Sequence, residues 1–334
     1  MNLRRIIGAG TAVGASALAA LLLAQGAGAA TRTSLTTGVL VVNTNLAYQN
    51  AAAAGTGMAL TSNGIVLTNN HVIKGATTIK VVDPSTHHTY SATVLGYDVA
   101  DDVAVLKLQG ASHLKTVTLG DSSKARTGQL VTAVGNAGGT GRITTATGRI
   151  TALRQTITAS DDQGATEQLV GLIETNAGVQ PGDSGGPLVD SSGRVLGMDT
   201  AGSNSFVVQG GSATTAYAIP INKALSIAKQ IESGNSTIAH IGPTAFMGVS
   251  VEDVGNGQSG ALIAGVVPGG PADQAGLVPG DVITALDGNP VDAATSLGGI
   301  VQHETPGASV EVDYLDQLGQ QQTATITLGS GPPQ

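Results

Sequence analysis

QPGDSGGP, residues 180–187, decides how this chain is read. Its glycines and prolines exclude a helix and leave a tight turn with Ser184 at its centre. A serine hydroxyl is a weak nucleophile. It becomes useful only with an imidazole to take its proton, a carboxylate to hold that imidazole, and N–H donors for a developing oxyanion. The turn itself supplies the last of these. Its glycines admit a substrate backbone and direct the N–H groups of Gly182 and Ser184 toward one spot, with Asp183 sharing the loop, so Gly182, Asp183 and Ser184 form the candidate oxyanion segment.

The partners of Ser184 lie upstream. Of six histidines, His71 in IVLTNNHVIKGA stands at a strand end with no other evident duty, whereas His87 and His88 sit in a polar turn and His113, His240 and His303 in loop-like stretches. YDVADDVAVLKL offers Asp98, Asp101 and Asp102. Asp102 opens the apolar run Val103–Leu106, which draws it toward the interior, where an acid needs a partner. His71 supplies one, and Asp101 is the fallback. The His87-His88 pair lacks any HExxH context, so no metal is expected, and the chemistry requires no cofactor.

Composition fits this chemistry and excludes others. The 334 residues carry 48 glycines, twice the ~7% usual in proteins, and 41% are hydrophobic, enough for real cores. A net charge of −8 with 15 Lys and Arg leaves no basic footprint for nucleic acid. Cysteine is absent, which removes disulfides, thiolate zinc sites and a cysteine nucleophile together. Arg4 and Arg5, the apolar stretch Ile6 to Ala24 and the small residues 26–30 have the three-part layout of an export signal, so residues 1–30 are read as a signal peptide or N-terminal anchor, with cleavage near Ala29 or Ala30 preferred.

The rest reads as mostly β. Short apolar runs at 39–42, 58–60, 65–68, 78–82, 92–97 and 103–108, then at 129–135, 142–153, 169–175, 187–190 and 194–200, are separated by turn signals such as Ser62-Asn63-Gly64. Ile221, Ala224, Leu225, Ala228 and Ile231 fall at helical spacing before Gly234. SGNSTIAHIGPT, 233–244, has linker composition, although Ile238 and Ile241 suit docking.

TNNHVI, DDVAVLKL, LGDS, VGNAGG, QPGDSGGPLVD and YAIPI resemble, in order, the segments of the HtrA/DegP family of trypsin-like serine endopeptidases, most nearly its secreted, short-looped mycobacterial members. The resemblance implies a chymotrypsin-like double β-barrel over 31–233, with barrels at about 36–120 and 121–220 and a closing helix, a linker at 234–244, and an α+β PDZ domain at 245–330. It assigns His71 as general base, Asp102 as orienting acid and Ser184 as nucleophile. It places Gly178 and Val179 at the base of the specificity pocket and Thr200, Ala201 and Gly202 along its wall. With no charge at that base, the implied preference is for small to medium apolar side chains before the cut.

FMGV, 246–249, resembles a PDZ carboxylate-binding loop, and PADQAGLVPGDVITALDG the core that follows it. The groove is then expected from Phe246, Met247, Gly248 and Val249, with Ser250 and Val251 pairing to peptide backbone and Leu297 and Val301 lining the side-chain pocket. The implied partners are polypeptide substrates such as misfolded exported proteins, peptide C-termini at the groove, and two further copies in a homotrimer. The expected location is secreted or in the cell envelope. The alternative function is a catalytically silent peptide-binding adaptor, but such proteins usually lose a triad residue and none is lost. An α/β-hydrolase would carry GxSxG on a strand-to-helix elbow, unlike GDSGG between strands.

Three features depart from the family pattern. Asp183 stands where many members have asparagine, and without an IVGG-like start it needs some partner other than a freshly cut N-terminus. Only Thr61 to Gly64 joins two strands where heat-shock members carry a long loop. Tyr48 is the sole aromatic before His71 to support trimer closure.

Overall fold

A computed structural model describes residues 35–160, 166–202 and 215–334, so the export segment lies outside the described residues. The chain divides into two compact units, Met1–Thr37 and Gly38–Gln334. Of the first, only residues 35–37 are described, and the folded elements belong to the second.

Short, largely buried apolar runs build the first barrel. Strands β1 (Val39–Leu46), β2 (Ala51–Ala59), β3 (Ile65–Thr68), β4 (Thr78–Asp83), β5 (His88–Asp98) and β6 (Val103–Leu108) run in the order β5-β4-β1-β2-β3-β6, and β5 pairs β6 to close the ring. Leu40, Val42, Val66, Val81, Leu106 and Leu108 fill its interior, a full closure that leaves no edge between these strands. A one-turn helix, α1 (Asn70–Ile73), leaves β3 and buries Val72 and Ile73. The Ala-rich start of β2 shows little apolar patterning and is read in sequence only from Met58. In the structure it pairs with β1 along its whole length, Leu46↔Ala51 to Val39↔Met58.

The second barrel repeats the plan. After the short β7 (Thr118–Leu119), strands β8 (Leu130–Gly135), β9 (Thr144–Ser160), β10 (Thr166–Thr175), β11 (Pro187–Asp190), β12 (Arg194–Gly202) and β13 (Ala216–Pro220) run β11-β8-β9-β10-β13-β12, and β11 pairs β12. Its core uses Val131, Ile150, Ile173, Leu188 and Leu196 among several alanines. Helix α2 (Ile221–Ser233) ends at Gly234, whose φ of 68° is the left-handed cap that stops it. Ile227 joins Ile221, Ala224, Ala228 and Ile231 on the buried face, whereas Leu225 is only half-buried.

The 234–244 segment is docked rather than free. β14 (His240–Ile241) adds to β5 in the register His240↔Tyr97 and Ile241↔Gly96, and Gly242 N donates to Leu95 O at 2.8 Å. Tyr97 anchors it further, its ring 5.0 Å from that of His240 and its hydroxyl 3.1 Å from Thr244 Oγ1. Gly96 permits this approach, since a Cβ there would stand 2.4 Å from His240 O.

Beyond it, β15 (Thr244–Phe246) pairs with the last strand, and β16 (Val249–Asp253), β17 (Ala261–Val266), β18 (Val282–Leu286), β19 (Asn289–Pro290), β20 (Ser309–Leu315) and β21 (Gln321–Thr327) form a second-domain sheet, with β22 (Gly329–Gly331) returning to β15. Helices α3 (Pro271–Gln274) and α4 (Ala294–Gln302) cover its core of Met247, Ile263, Leu277, Ile283, Leu297 and Val312. The chain is mostly β, a chymotrypsin-like double barrel followed by an α+β PDZ domain. No helix among the described residues is long and apolar enough to cross a membrane.

Gly96→Ala is expected to push β14 off β5 and cost about 1–3 kcal/mol, the usual penalty for overpacking. A thermal melt combined with limited proteolysis at 234–244 checks this: the substitution should lower the midpoint and expose the segment to cleavage.

Candidate active site

TNNHVI folds as a strand end passing into α1, with Asn69 in extended backbone at φ −80° before the helix. The Asn69 side chain is buried, and its Nδ2 donates to Asp102 O at 2.9 Å. Asp102 sits in a tight turn with φ 51°, a left-handed conformation that a non-glycine residue adopts only under local constraint. Its carboxylate accepts from His71 N and lies 2.9 Å from His71 Nδ1. It also accepts from Thr200 Oγ1. A carboxylate can only accept here, so His71 Nδ1 donates this hydrogen bond.

Ser184 arrives from the other barrel. Gly182 and Gly185 on either side have φ of 96° and 84°. A Cβ would stand 2.3 Å from Asn136 O at the first and 2.1 Å from Thr56 O at the second. Those two glycines are therefore obligatory for the turn. Ser184 Oγ donates to Thr200 O at 3.3 Å, so Thr200 touches both the acid, through its side chain, and the serine, through its carbonyl. Asp183 N is committed to Gln180 O and Gly185 N to Asp199 O, which removes the Asp183 amide from the candidate oxyanion donors and leaves those of Gly182 and Ser184.

The expected pocket residues separate. A side chain at Gly178 would meet nothing within 4 Å, consistent with open space, while Val179 packs into the second-barrel core. Thr200 points at Asp102 rather than along a pocket wall. Ala201 and Gly202 end β12, and their surroundings lie outside the described residues.

In the second domain a groove of about 350 Å³ is lined by Phe246, Met247, Gly248, Val249 and Val251 and, from α4, by Leu297 and Val301. Ser250 is not among its lining residues, since its hydroxyl turns to Gly265 O on β17. Tyr48 stacks on Phe246 with ring centroids 5.2 Å apart.

Sequence reasoning missed Asn69, Thr200 in its contact with Asp102, and Thr56, whose Oγ1 donates to Gly182 O at 2.7 Å. Only a fold brings these residues from separate segments to one place. No group of His, Cys, Asp and Glu among the described residues could hold a metal.

The paired β-barrels and the grooved domain that follows them in the chain define a trypsin-like peptidase domain joined to a PDZ domain. The trypsin-like peptidase domain family matches residues 55–198 and the PDZ domain family residues 245–328. Serine protease PepD of Mycobacterium tuberculosis is 34% identical over 307 residues, which cover 87% of this chain and 63% of PepD. A probable periplasmic serine endoprotease, DegP-like, of Halomonas elongata is 33% identical, over 83% of this chain and 56% of that protein. The chain thus spans about three fifths of the length of these curated relatives. A serine-to-alanine variant of the HtrA-type protease AlgW, solved with a tripeptide, is similar at TM-score 0.53 and 30% identity, over 91% of this chain and 97% of that one. The chain belongs to the HtrA family.

Thr200→Val removes a hydrogen bond to a buried carboxylate, an interaction worth about 1.5–3 kcal/mol. The rate at which a fluorophosphonate labels Ser184 is expected to fall about tenfold to a hundredfold, measured by gel fluorescence against time.

Proposed function

We propose that the chain is an exported serine endopeptidase that hydrolyses unfolded or exposed polypeptides through Ser184, His71 and Asp102 and recruits peptide C-termini with its PDZ domain. The observation that carries this reading is the continuous set of hydrogen bonds from His71 to Asp102, from Thr200 to Asp102, and from Ser184 to Thr200. In this reading Ser184 Oγ attacks the scissile carbonyl while His71 Nε2 takes its proton. The N–H groups of Gly182 and Ser184 stabilise the tetrahedral oxyanion, and His71 returns the proton to the leaving amine. Water, activated in the same way, then releases the acyl group. The open space at Gly178 suits small to medium apolar side chains before the cut.

Export is supported by Arg4, Arg5 and the apolar stretch Ile6 to Ala24, and by relatives named periplasmic. The groove reading is supported by its apolar lining and by AlgW structures that hold a tripeptide or a decapeptide. A PDZ groove adds an extended peptide to a sheet edge and captures its carboxylate with backbone N–H groups. For this chain those would come from Phe246 to Val249. The trimer is a weaker reading, since Tyr48, the aromatic that would help close it, is stacked on Phe246.

Ser184→Ala should reduce cleavage of a peptide with valine before the cut by about 10⁶-fold without changing the fold. Comparable turnover in the variant removes the triad reading, and a strong preference of the wild type for lysine or arginine before the cut removes the apolar pocket. For the groove, calorimetry on the full Ser184→Ala chain with an apolar peptide should give binding when its carboxylate is free and none when it is amidated. Equal binding of the two peptides counts against carboxylate capture.

A further inference from the structure

Behind Ser184 lie two acids that the proposed chemistry does not use. Asp199 on β12 is 0% exposed and Asp183 in the turn 4%. Asp183 Oδ2 accepts from Gln180 N at 2.9 Å. Among the described residues, Asp183 Oδ1 and both carboxyl oxygens of Asp199 have no hydrogen-bond partner. The backbones of the two residues, by contrast, organise the turn. Gly185 N donates to Asp199 O, Asp199 N to Gly186 O and Gly186 N to Asp183 O, each at 2.8 Å. The segment that presents Ser184 is therefore laced to the two residues whose side chains are left bare.

Among the described residues, nothing around them supplies a counter-charge. Ala218 of β13 lies opposite Asp199 in the sheet. On the β8 side Gly135 approaches so closely that a Cβ would stand 2.5 Å from Asp183 Oδ1. Among the described residues the groups acting on the pair are the Gln180 amide, on Asp183, and the charge of Asp183, on Asp199. No basic side chain is among them. Burial raises both carboxyls above the ordinary value of 3.8, and the neighbouring Asp183 raises Asp199 further. An acid buried without a partner takes up a proton rather than remain charged.

We propose that Asp199 is a positioning residue kept as a neutral carboxyl beside Asp183, under the Gly182–Gly186 turn that the backbones of both residues lace, and that loss of its proton puts a second buried charge there, loosens the turn and silences the site. The proposal rests on the reading of Ser184 as nucleophile. Its sign follows from linkage. Between the unfolded value near 3.8 and the raised native value, the native chain binds more protons than the unfolded one. Stability therefore falls as pH rises through that window and levels off above the native pKa. Asparagine has nearly the shape of a protonated aspartate and cannot lose its charge state, so it abolishes this dependence.

The test compares the full wild-type chain with Asp199→Asn, measuring kcat/KM on one peptide from about pH 6 to about pH 10, each profile scaled to its own plateau. In parallel, the melting midpoint of the Ser184→Ala chain is followed over the same range with and without Asp199→Asn. The expected result is a decline with rising pH that moves upward or vanishes in Asp199→Asn, and a melting midpoint that depends less on pH. Should Asp199→Asn not fold, Asp183→Asn removes the neighbouring charge that raises Asp199 and is expected to move the decline downward. An unmoved decline overturns the proposal. So does a plateau about a hundredfold lower in an Asp199→Asn chain that melts normally, because the ionised acid would then be the working form, paired to some cation or amine. Cleavage that survives Ser184→Ala would instead sink the nucleophile reading, and the melting comparison still decides the acid pair.

Discussion

One buried threonine ties the two halves of the site together. Thr56, on β2 of the first barrel, donates its N–H to Ser184 O at 2.8 Å and its hydroxyl to Gly182 O at 2.7 Å. The same hydroxyl accepts from Asn136 N, and the Thr56 carbonyl accepts from Thr68 Oγ1. The N–H and the hydroxyl of one residue are therefore spent between the barrels, and its carbonyl within the first, where an unmade hydrogen bond costs more than a made one contributes. The flanking glycines make the approach feasible. A Cβ at Gly55 would meet Val72 of α1 at 2.7 Å, and one at Gly57 would meet Val66 at 2.8 Å. The helix that carries His71 and the turn that carries Ser184 thus close on the same short stretch of strand.

The second domain is fixed to the same helix. Pro333 O accepts from Gly75 N at 2.8 Å, and Gln334 O accepts from Asn70 Nδ2 at 3.0 Å. Gln334 also lines the groove beside Phe246, whose ring lies on Tyr48. With β14 laced to β5, the groove is carried on a mount that runs through Tyr97, Gly75 and Asn70 rather than on a flexible tether. A tether would act by raising local concentration. This mount instead joins the two domains by direct hydrogen bonds.

Legibility divides along the range of the interactions. Ser184, His71 and Asp102 could be singled out because the chemistry proposed for them needs particular residue types, and their local contexts, a glycine turn and two strand ends, are encoded within a few residues. Most strands of both barrels showed as short apolar runs between turn signals, and α2 through its spacing and Gly234. Residues whose meaning is set across the fold did not show. Thr200 fits a pocket wall as well as a carboxylate partner until β12 is seen to pass Asp102. Val179 sits beside Gly178 in sequence but belongs to the core. The start of β2 is Ala-Ala-Ala-Ala-Gly, which carries no strand signal, because its register is imposed by β1 and not by its own side chains. The docking of 234–244 depends on Gly96, more than a hundred residues away in the chain.

The division of labour between barrels explains why a motif alone underdetermines this site. The first barrel fixes the acid and the imidazole, through Asn69 on the Asp102 carbonyl and through the left-handed turn at Asp102. The second fixes the serine, through Gly182 and Gly185. Neither barrel holds both, so the relative position of His71 and Ser184 depends on two crossings, Thr56 from the first barrel and Thr200 from the second. Each crossing uses a hydroxyl together with its own backbone. A hydroxyl can be lost to a single methyl-for-hydroxyl substitution, whereas the backbone contacts survive any side chain that fits. Geometry at Ser184 is therefore set mainly by main-chain bonds, and the hydroxyls refine it. This is a consequence of placing the reacting groups at a seam, where a rigid scaffold on each side is of use only if the seam itself is fully hydrogen-bonded.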